Sequence, residues 1–504
     1  MLWQITVVLL VLWGIISRWR QRKLIALANQ LKCDKIALPF IGHAYRFLGD
    51  DEDHMRTLHD IGNEALRKGG LISHWQGTQL YIGIADPVAA DVAMKTCLEK
   101  DDIVKLFRVL LGNGSIFAPV PIWRPRRKIL APTFSPKNLI NFVEIFTRQS
   151  TIMVNQLKTA AGKGAFSLWK FLPKYTMDSV CESTLGIQVN AQMQPDEPFQ
   201  KAFEDMCKRV AKRMCQPWLY NENVYKYLCR DAFNLHECDK HLIWNFMDKI
   251  ISEKWTSLNK KVSHSKEYQV HKDSLRSFLE LLVESSSSGG DKGYNKLELR
   301  EEALVIVLAG TDTSAASTGF TTVLLARHPD VQEKVYKELQ DVFGDSDRPV
   351  TPQDLPCLKY LDAVIKESLR LYPPVPFLVR RVDEDVTLPS GVTLVKGCGL
   401  FICLWSIHRN PQYWGADAEE FRPERFFDSP PKHPAAYMPF SYGPRSCLGY
   451  QYAMMSMKTA LATLLRQYRV RPPSDDHCGK ALRVKFDIML KDVNDYVVQL
   501  DLRT

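Results

Sequence analysis

Ten residues near the carboxyl end, Phe440 to Gly449, place Cys447 in a glycine-rich turn before a run with helical spacing. A cysteine thiolate can ligate haem iron and push electron density onto it. The backbone N–H groups of a tight loop, and of the helix that follows, stabilise negative sulfur. Gly443 and Gly449 allow such a loop to approach a porphyrin closely. The segment therefore predicts a haem-thiolate site, with a glycine-rich turn around a buried cysteine as the alternative.

Two other side chains in this segment suit the same cofactor. The planar fork of Arg445 can pair with a haem propionate, and Phe440 can pack against the ring and the sulfur. The chain has 12 cysteines but no Cys-x-x-Cys pair, so a zinc site is not indicated. We expect most of the cysteines to be reduced, buried thiols. We expect His236, Cys238 and His241 to be surface residues of a helix.

A second motif runs from Ala309 to Ser314, inside a predicted helix from Leu299 to Arg327. Its mid-helix glycine costs about 1 kcal/mol relative to alanine, which indicates a local purpose. A local opening of the helix there would admit O2 and an ordered water. Thr313 could then donate a hydrogen bond to bound oxygen, and Asp312 could pass protons inward from solvent. The alternative is a helix-packing contact made by small residues.

Two further motifs are weaker by themselves. Glu367 and Arg370 have the i,i+3 spacing of a surface salt bridge, which usually contributes little to stability. The segment from Trp123 to Lys128 is basic around Pro125, which we expect in a first helical turn, where its missing N–H costs nothing.

The elements that must position these residues are mostly helical. Apolar periodicity predicts helices over most of 86–327, interrupted at 262–273 and by a serine-rich linker at 284–291. A hairpin is predicted over 71–84 around Gly77, strands near 386–395, a helix over 450–468 and a β-like tail after it. The pattern predicts a mainly α fold with minor β structure.

Composition agrees with a large folded body. The chain has 504 residues, of which 45% are hydrophobic and 24% are charged, so global disorder is not expected. The net charge of +9 suits an anionic membrane surface or an acidic protein partner. The charge is too small and too evenly spread to indicate nucleic-acid binding.

The first seventeen residues are apolar apart from Gln4, Thr6 and Ser17. As a helix they would rise about 26 Å, slightly short of a bilayer core. Four cations follow directly, the reverse of the order in a cleavable signal peptide. We therefore predict a single-pass signal anchor at 1–17, a basic linker at 18–38 and a catalytic domain at 39–504 that faces the cytosol from the endoplasmic reticulum. A buried N-terminal helix is the alternative.

The segment from Phe440 to Gly449 resembles the signature F-x-x-G-x-R-x-C-x-G of the cytochromes P450 at every fixed position, and the resemblance extends over nearly the whole chain. It implies the cytochrome P450 fold and haem b (iron protoporphyrin IX) ligated by Cys447. The resemblance implies that Trp123, Arg127, Arg380 and His408 contact the haem propionates. It implies that Glu367, Arg370 and Arg425 form a buried structural group. It also implies that Asp312 and Thr313 are the oxygen-activating pair.

The resemblance also implies an activity and partners. A microsomal monooxygenase would use O2, and electrons from NADPH relayed by a flavoprotein reductase, to oxidise a lipophilic substrate. Lys458, Arg124 and Arg127 are candidates for the reductase-docking surface. A peroxide-rearranging isomerase or dehydratase of the same family and a haem-based sensor or carrier are the alternatives. The Asp312–Thr313 pair favours the monooxygenase.

Several stretches resemble family 4 of the cytochromes P450, which has many insect members. They are 110–114, 177–182, 216–219 and 276–282. Many family 4 members carry a glutamate that esterifies a haem methyl, but this chain has Ala309 there, so we expect haem that is not covalently attached. We expect pocket residues within 106–121, within 208–218 and after Pro374. Fatty acids, hormones, pheromones and xenobiotics all remain candidate substrates.

Overall fold

The computed structural model describes residues 18–194, 198–264, 277–280, 282, 294–428, 430–474 and 481–503. The predicted anchor at 1–17 and the predicted linker at 284–291 lie outside the described residues. The described part is mostly helical with short strands, which confirms the predicted fold class.

Seventeen helices are described between Arg22 and Gln467. They are α1 Arg22–Gln30, α2 Asp51–Arg67, α3 Pro87–Thr96, α4 Lys105–Leu111, α5 Val120–Leu130, α6 Pro136–Leu157, α7 Leu172–Val180, α8 Pro198–Cys215, α9 Glu222–Leu228, α10 Arg230–His264, α11 Lys296–Arg327, α12 Pro329–Phe343, α13 Lys359–Leu371, α14 Leu404–Ile407, α15 Pro411–Trp414, α16 Arg425–Asp428 and α17 Tyr450–Gln467.

The strands are short and form four small sheets. They are β1 Leu71–Gln76, β2 Gln79–Ile84, β3 Phe166–Ser167, β4 Leu378–Arg381, β5 Val386–Thr387, β6 Thr393–Leu394, β7 Gly399–Ile402, β8 Tyr468–Arg471, β9 Val484–Asp487, β10 Met489–Asp492 and β11 Val497–Leu502. The largest sheet has the order β1-β2-β7-β4, with a parallel β2–β7 pair between antiparallel neighbours. The others pair β3-β11-β8, β9 with β10, and β5 with β6.

Helix α11 runs through the core and packs against α7, α13 and α17. A capping box formed by Asn295 and Glu298 sets its start, three residues before the predicted one. Among the described residues it alone is long and apolar enough to cross a membrane, but 78% of that apolar window is buried in the protein. Its hydrophobicity is therefore that of a core helix, consistent with apolar residues on all its faces.

Several predicted elements are confirmed. The hairpin β1–β2 turns at Gly77, whose φ of +63° is the left-handed conformation that glycine adopts readily. The strands β5 and β6 lie within the predicted strand region 386–395, α17 spans all but the last residue of the predicted helix, and β8 to β11 form the β-rich tail.

Three local predictions were wrong. Helix α5 begins at Val120, so Pro125 lies inside the helix, where it removes one backbone hydrogen bond. His236 is fully buried rather than at the surface, although Cys238 is exposed. The predicted linker at 18–38 contains α1, which buries Leu27 and Ala28 beside β1. The folded body therefore begins before residue 39.

Candidate active site

The loop before α17 places Cys447 by close backbone packing. Gly443 has φ +71°, and a Cβ atom there would lie 2.8 Å from the carbonyl oxygen of Met94. A side chain is therefore excluded at Gly443 by both conformation and space. The backbone N–H of Cys447 donates to the carbonyl oxygen of Phe440 at 2.9 Å and closes the turn.

The sulfur of Cys447 lies deep in the protein but faces an internal cavity. Burial raises the pKa of the Cys447 thiol, while the backbone N–H of Gly449 and the charge of Arg127 act in the opposite direction. A metal ion bound to the sulfur would favour the thiolate, because a coordinating thiol is deprotonated outright.

The cavity beside Cys447 has a volume of about 420 Å³ and a mainly apolar lining. Its lining unites Cys447 and Phe440 with Asp312 and Thr313, so residues more than a hundred positions apart share one site. The three stretches predicted to form the pocket all contribute. Sequence reasoning missed the part of α8 before residue 208 and the turn between β9 and β10, which carry no local motif.

Two arginines at this cavity have free hydrogen-bond donors. Nε of Arg380, and Nε and Nη1 of Arg445, are buried and have no hydrogen-bond partner. Burial lowers the pKa of each guanidinium to about 10, and the charge of Arg445 adds to the effect at Arg380. Buried charges are normally paired, so these donors indicate an anionic ligand.

Lys100 lies beside the same two arginines and was not predicted. It lines the cavity, and its burial next to Arg380 and Arg445 lowers the pKa of its ammonium well below the ordinary value. In the sequence it stands in the charged run 99–102, which is typical of a solvated surface. Only the fold reveals that this lysine points inward.

The predicted tryptophan and arginine of α5 lie next to these cations. The guanidinium of Arg445 lies over the Trp123 ring at 4.4 Å, and that of Arg127 at 5.9 Å. Nη1 of Arg127 donates to the carbonyl oxygen of Ser446 at 2.7 Å, which ties α5 to the cysteine loop. Trp123, Arg127, Arg380 and Arg445 all contribute to the cavity lining.

His408 does not belong to this group. It is fully buried outside the cavity lining, and its Nε2 accepts a hydrogen bond from the backbone N–H of Met438 at 3.0 Å. Burial and the charge of Arg370 lower the pKa of the ring to about 3, so the ring is neutral. The structure matches the alternative of a polar residue packed beside the irregular segment, and it does not support a propionate contact.

Glu367, Arg370 and Arg425 form one buried group. Arg370 donates to both Glu367 carboxylate oxygens at 2.7 and 2.9 Å, and Arg425 donates to Oε1 at 2.8 Å. Further donors of the two arginines reach backbone carbonyls, including that of His408 at 2.8 Å. These bonds join α13 to the segment before the cysteine loop, and none of the three residues lines the cavity.

Asp312 and Thr313 lie in an unbroken part of α11. The Thr313 hydroxyl donates to the carbonyl oxygen of Ala309 at 2.5 Å. A Cβ atom at Gly310 would lie 2.7 Å from Cγ2 of Val180, so this glycine serves the packing of α7. The predicted opening of the helix is absent at these residues, and the alternative, a packing role for the small residues, is the one the structure displays.

A partner of Asp312 was also missed. Nζ of Lys491 lies 3.3 Å from Oδ2 of Asp312, and both side chains are buried. The pairing joins α11 to β10, which are far apart in sequence, so no local signal could have identified it.

The candidates for a docking surface differ in exposure. Arg124 is exposed on α5 together with Lys128. Lys458, in contrast, is largely buried, because its Nζ is paired with Asp362 at 2.9 Å. Lys458 is therefore a poor candidate for a contact with another protein.

Comparison with known proteins places this site in a family. The family model described as Cytochrome P450 matches residues 35–497. Cytochrome P450 4V2 of Mus musculus is 32% identical over 480 residues, which cover 93% of this chain and 89% of that protein. Cytochrome P450 4d2 of Drosophila melanogaster is 32% identical over 96% of this chain and 95% of its own length, and cytochrome P450 4c21 of Blattella germanica is 33% identical over 86% of each. The relatives confirm the resemblance to family 4, including its insect members.

Proposed function

The chain belongs to the cytochrome P450 family and is an oxidoreductase of the monooxygenase type, and we propose that it inserts one atom of O2 into a lipophilic substrate. Electrons would come from NADPH through a flavoprotein reductase. The observation that carries the proposal is the shared lining that joins Cys447 to the Asp312–Thr313 pair in a mainly apolar cavity.

The donor set fits haem b. Haem supplies an iron that activates O2 when a thiolate ligates it. Cys447 would hold the iron, and the free donors of Arg380 and Arg445 would hold the propionates as charge-assisted hydrogen bonds. Trp123 keeps Arg445 in place by stacking against its guanidinium. Lys100 extends this cationic wall.

The residues on α11 would handle protons. Thr313 lines the cavity together with Asp312, the neighbouring acid. The apolar lining excludes bulk water, so protons must arrive through such side chains. An isomerase or a carrier does not need the Asp312–Thr313 pair, so the presence of this pair favours the monooxygenase.

The apolar lining also supports a lipophilic substrate, namely a fatty-acid-like molecule, a hormone or a xenobiotic. A lining of this type contributes binding free energy through buried apolar area, with few groups that fix orientation. A substrate-binding difference spectrum with a small panel of fatty acids, sterols and xenobiotics tests the class.

We further propose that residues 1–17 anchor the protein in the endoplasmic reticulum membrane with the catalytic body in the cytosol. Support comes from exposed apolar side chains directly after α1, at Ile36, Leu38 and Phe40. Such patches mark contact surfaces. A chain that begins at Arg18 keeps α1 and should bind haem; failure to do so in detergent and in lipid would assign 1–17 to the core.

The ligand assignment is tested by spectroscopy. Cys447→His should replace the long-wavelength Soret band of the reduced carbon monoxide complex with the shorter-wavelength band of imidazole ligation. Cys357→Ser is the matched control, because Cys357 is exposed and lies outside the cavity lining. Retention of the original band in Cys447→His would contradict the assignment.

The reaction class is tested by oxygen consumption. With reconstituted reductase, NADPH should drive O2 uptake by the wild-type protein. An isomerase would instead rearrange an added lipid hydroperoxide without NADPH, and a carrier would do neither.

A further inference from the structure

The hairpin β9–β10 extends from the cavity to the catalytic acid. Its turn residue, Ile488, has φ +60° and lines the cavity together with Met489. A β-branched residue rarely adopts this conformation, so the surrounding packing must hold the turn. Lys491 follows two residues after Met489 on β10 and therefore has a fixed backbone position.

Lys491 places one buried ammonium between two buried carboxylates. Its Nζ lies 3.3 Å from Asp312 Oδ2 and 3.2 Å from Asp487 Oδ2. Lys491 is 4% exposed, Asp312 is 2% exposed and Asp487 is 1% exposed. Removing one partner from such a group leaves an uncompensated buried charge. Asp312 is therefore restrained by a neighbour that sequence reasoning does not connect to the active site.

Other titratable groups surround this cluster on every packed element. They are Glu204, Cys207 and Lys208 on α8, Asp487 on β9, and Tyr496 before β11. Burial raises the pKa of Asp487 and of Glu204, and the charge of Lys491 opposes this in both cases. The charge of Lys491 therefore acts on several buried acids, of which Asp312 and Asp487 are in direct contact with it.

Neither member of the oxygen-activating pair is free in this arrangement. The carboxylate of Asp312 is paired with the hairpin, and the hydroxyl of Thr313 donates to the helix carbonyl of Ala309. Proton delivery requires that Asp312 separate from Lys491. The strength of that ion pair would then limit how readily the acid is available.

We propose that Lys491 is a positioning residue that holds the Asp312 carboxyl withdrawn through their ion pair, and so restrains proton delivery to the cavity. The inference rests on the proposed function, because it assigns a regulator to the same acid. The overall reaction is unchanged: substrate, O2, NADPH and a proton give hydroxylated product, water and NADP+. Asp312 gives up a proton and regains one from solvent, with no net change at the protein.

The test uses the full-length holoenzyme with reductase, NADPH and no added substrate. Lys491→Met should consume NADPH several-fold faster than wild type, because the ion pair no longer withdraws the acid. Lys491→Arg should stay near the wild-type rate, because it keeps the charge. Adding Asp312→Asn to Lys491→Met should abolish the increase, which a loss of packing alone would not predict.

Lys485→Met is the matched control. Lys485 pairs with Lys491 in register across the hairpin, but its ammonium meets Asp495 at 3.2 Å away from the cavity. It should leave the rate of NADPH consumption unchanged. An equal increase in the control, or no increase in Lys491→Met, would overturn the proposal.

Infrared spectroscopy gives a readout that does not depend on turnover. At neutral pH the Lys491→Met holoprotein should gain protonated-carboxyl absorption, and the part that comes from Asp312 should disappear when Asp312→Asn is added, leaving only the part from Asp487. Absence of the part from Asp312 overturns the proposal even if the enzyme is inactive. A wild-type protein that consumes no NADPH but whose variants show this absorption would instead contradict the proposed function and leave the restraint standing.

Discussion

Two buried groups of arginines serve different ends in this protein. Arg370 and Arg425 surround Glu367, and every polar side-chain atom of the three has a partner. Arg380 and Arg445 are buried as deeply beside the cavity, but donors of both lack partners. A saturated polar network holds a scaffold, whereas unsatisfied buried donors mark a place kept for a ligand. The difference separates support from binding among residues of one type.

The largest expected effect is at the saturated group. Glu367→Gln removes the negative charge between two buried guanidinium groups and should cost about 3–5 kcal/mol of unfolding free energy. We expect little folded holoprotein, measured by thermal denaturation and by haem content. Asp428→Asn is the matched control, because Asp428 pairs with Arg422 at the surface and is 59% exposed. Equal stability of the two variants would remove the distinction between the groups.

Substitution in the group with unpartnered donors, Arg380 and Arg445, should not lower the stability of the apoprotein. Arg445→Leu removes one of several like charges, so the apoprotein should be no less stable than wild type. The holoprotein should lose haem about tenfold faster, because a hydrogen bond to a charged group contributes about 1.5–3 kcal/mol. Transfer of haem to apomyoglobin measures the rate. Arg124→Leu, exposed on α5, is the control. A destabilised apoprotein with unchanged haem loss would assign Arg445 to the scaffold.

The sequence predicted the place of Arg445 more directly than the burial of Glu367 and Arg370. Arg445 stands in a dense motif, so its place beside the cysteine was predictable. The spacing of Glu367 and Arg370 is also that of a surface pair, and only the family resemblance indicated burial. Lys100 and Lys491 lack a motif altogether. Their roles depend on contacts between elements distant in sequence, which no local pattern encodes.

The same limit explains His408 and Pro125. His408 was placed by resemblance alone, and its ring follows the local packing of the segment after β7. Pro125 was predicted to lie in the first turn of its helix, because proline is tolerated there. The helix instead starts at Val120, because Pro119 and Pro121 also suit a helix start. Element type was predictable from periodicity, whereas the starts of α5 and α11 were not.

A smaller effect is expected at Thr313 on α11. Thr313→Ala should bind haem and consume NADPH, but it should release several-fold more hydrogen peroxide per NADPH oxidised, because the hydroxyl of a residue that lines the cavity is lost. Thr318→Ala is the matched control, since Thr318 also donates to the carbonyl four residues earlier, at 2.8 Å, but does not line the cavity. Equal coupling in the two variants would show that another group or water supplies the proton.

The smallest expected effect concerns Ala309, where we predict no covalent bond to haem. Ala309 lines the cavity, but its methyl side chain cannot form an ester. Glu302 is another acid on this helix that could form the ester instead. It stands seven residues before Ala309, about 10 Å along the helix. It is already occupied, because Ser115 donates to it at 2.6 Å and Arg126 at 2.9 Å.

Asp312 is equally committed, through its ion pair with Lys491. Haem should therefore be held by Cys447, by the propionate contacts and by packing alone. After one round of turnover, denaturing chromatography should release haem with the mass of unmodified haem b. The matched variant is Ala309→Glu, which restores a carboxylate at the cavity and should make part of the haem travel with the polypeptide. Covalent haem in the wild type would show that a different carboxylate reaches the ring, and would contradict the assignment of Glu302 and Asp312 to ion pairs.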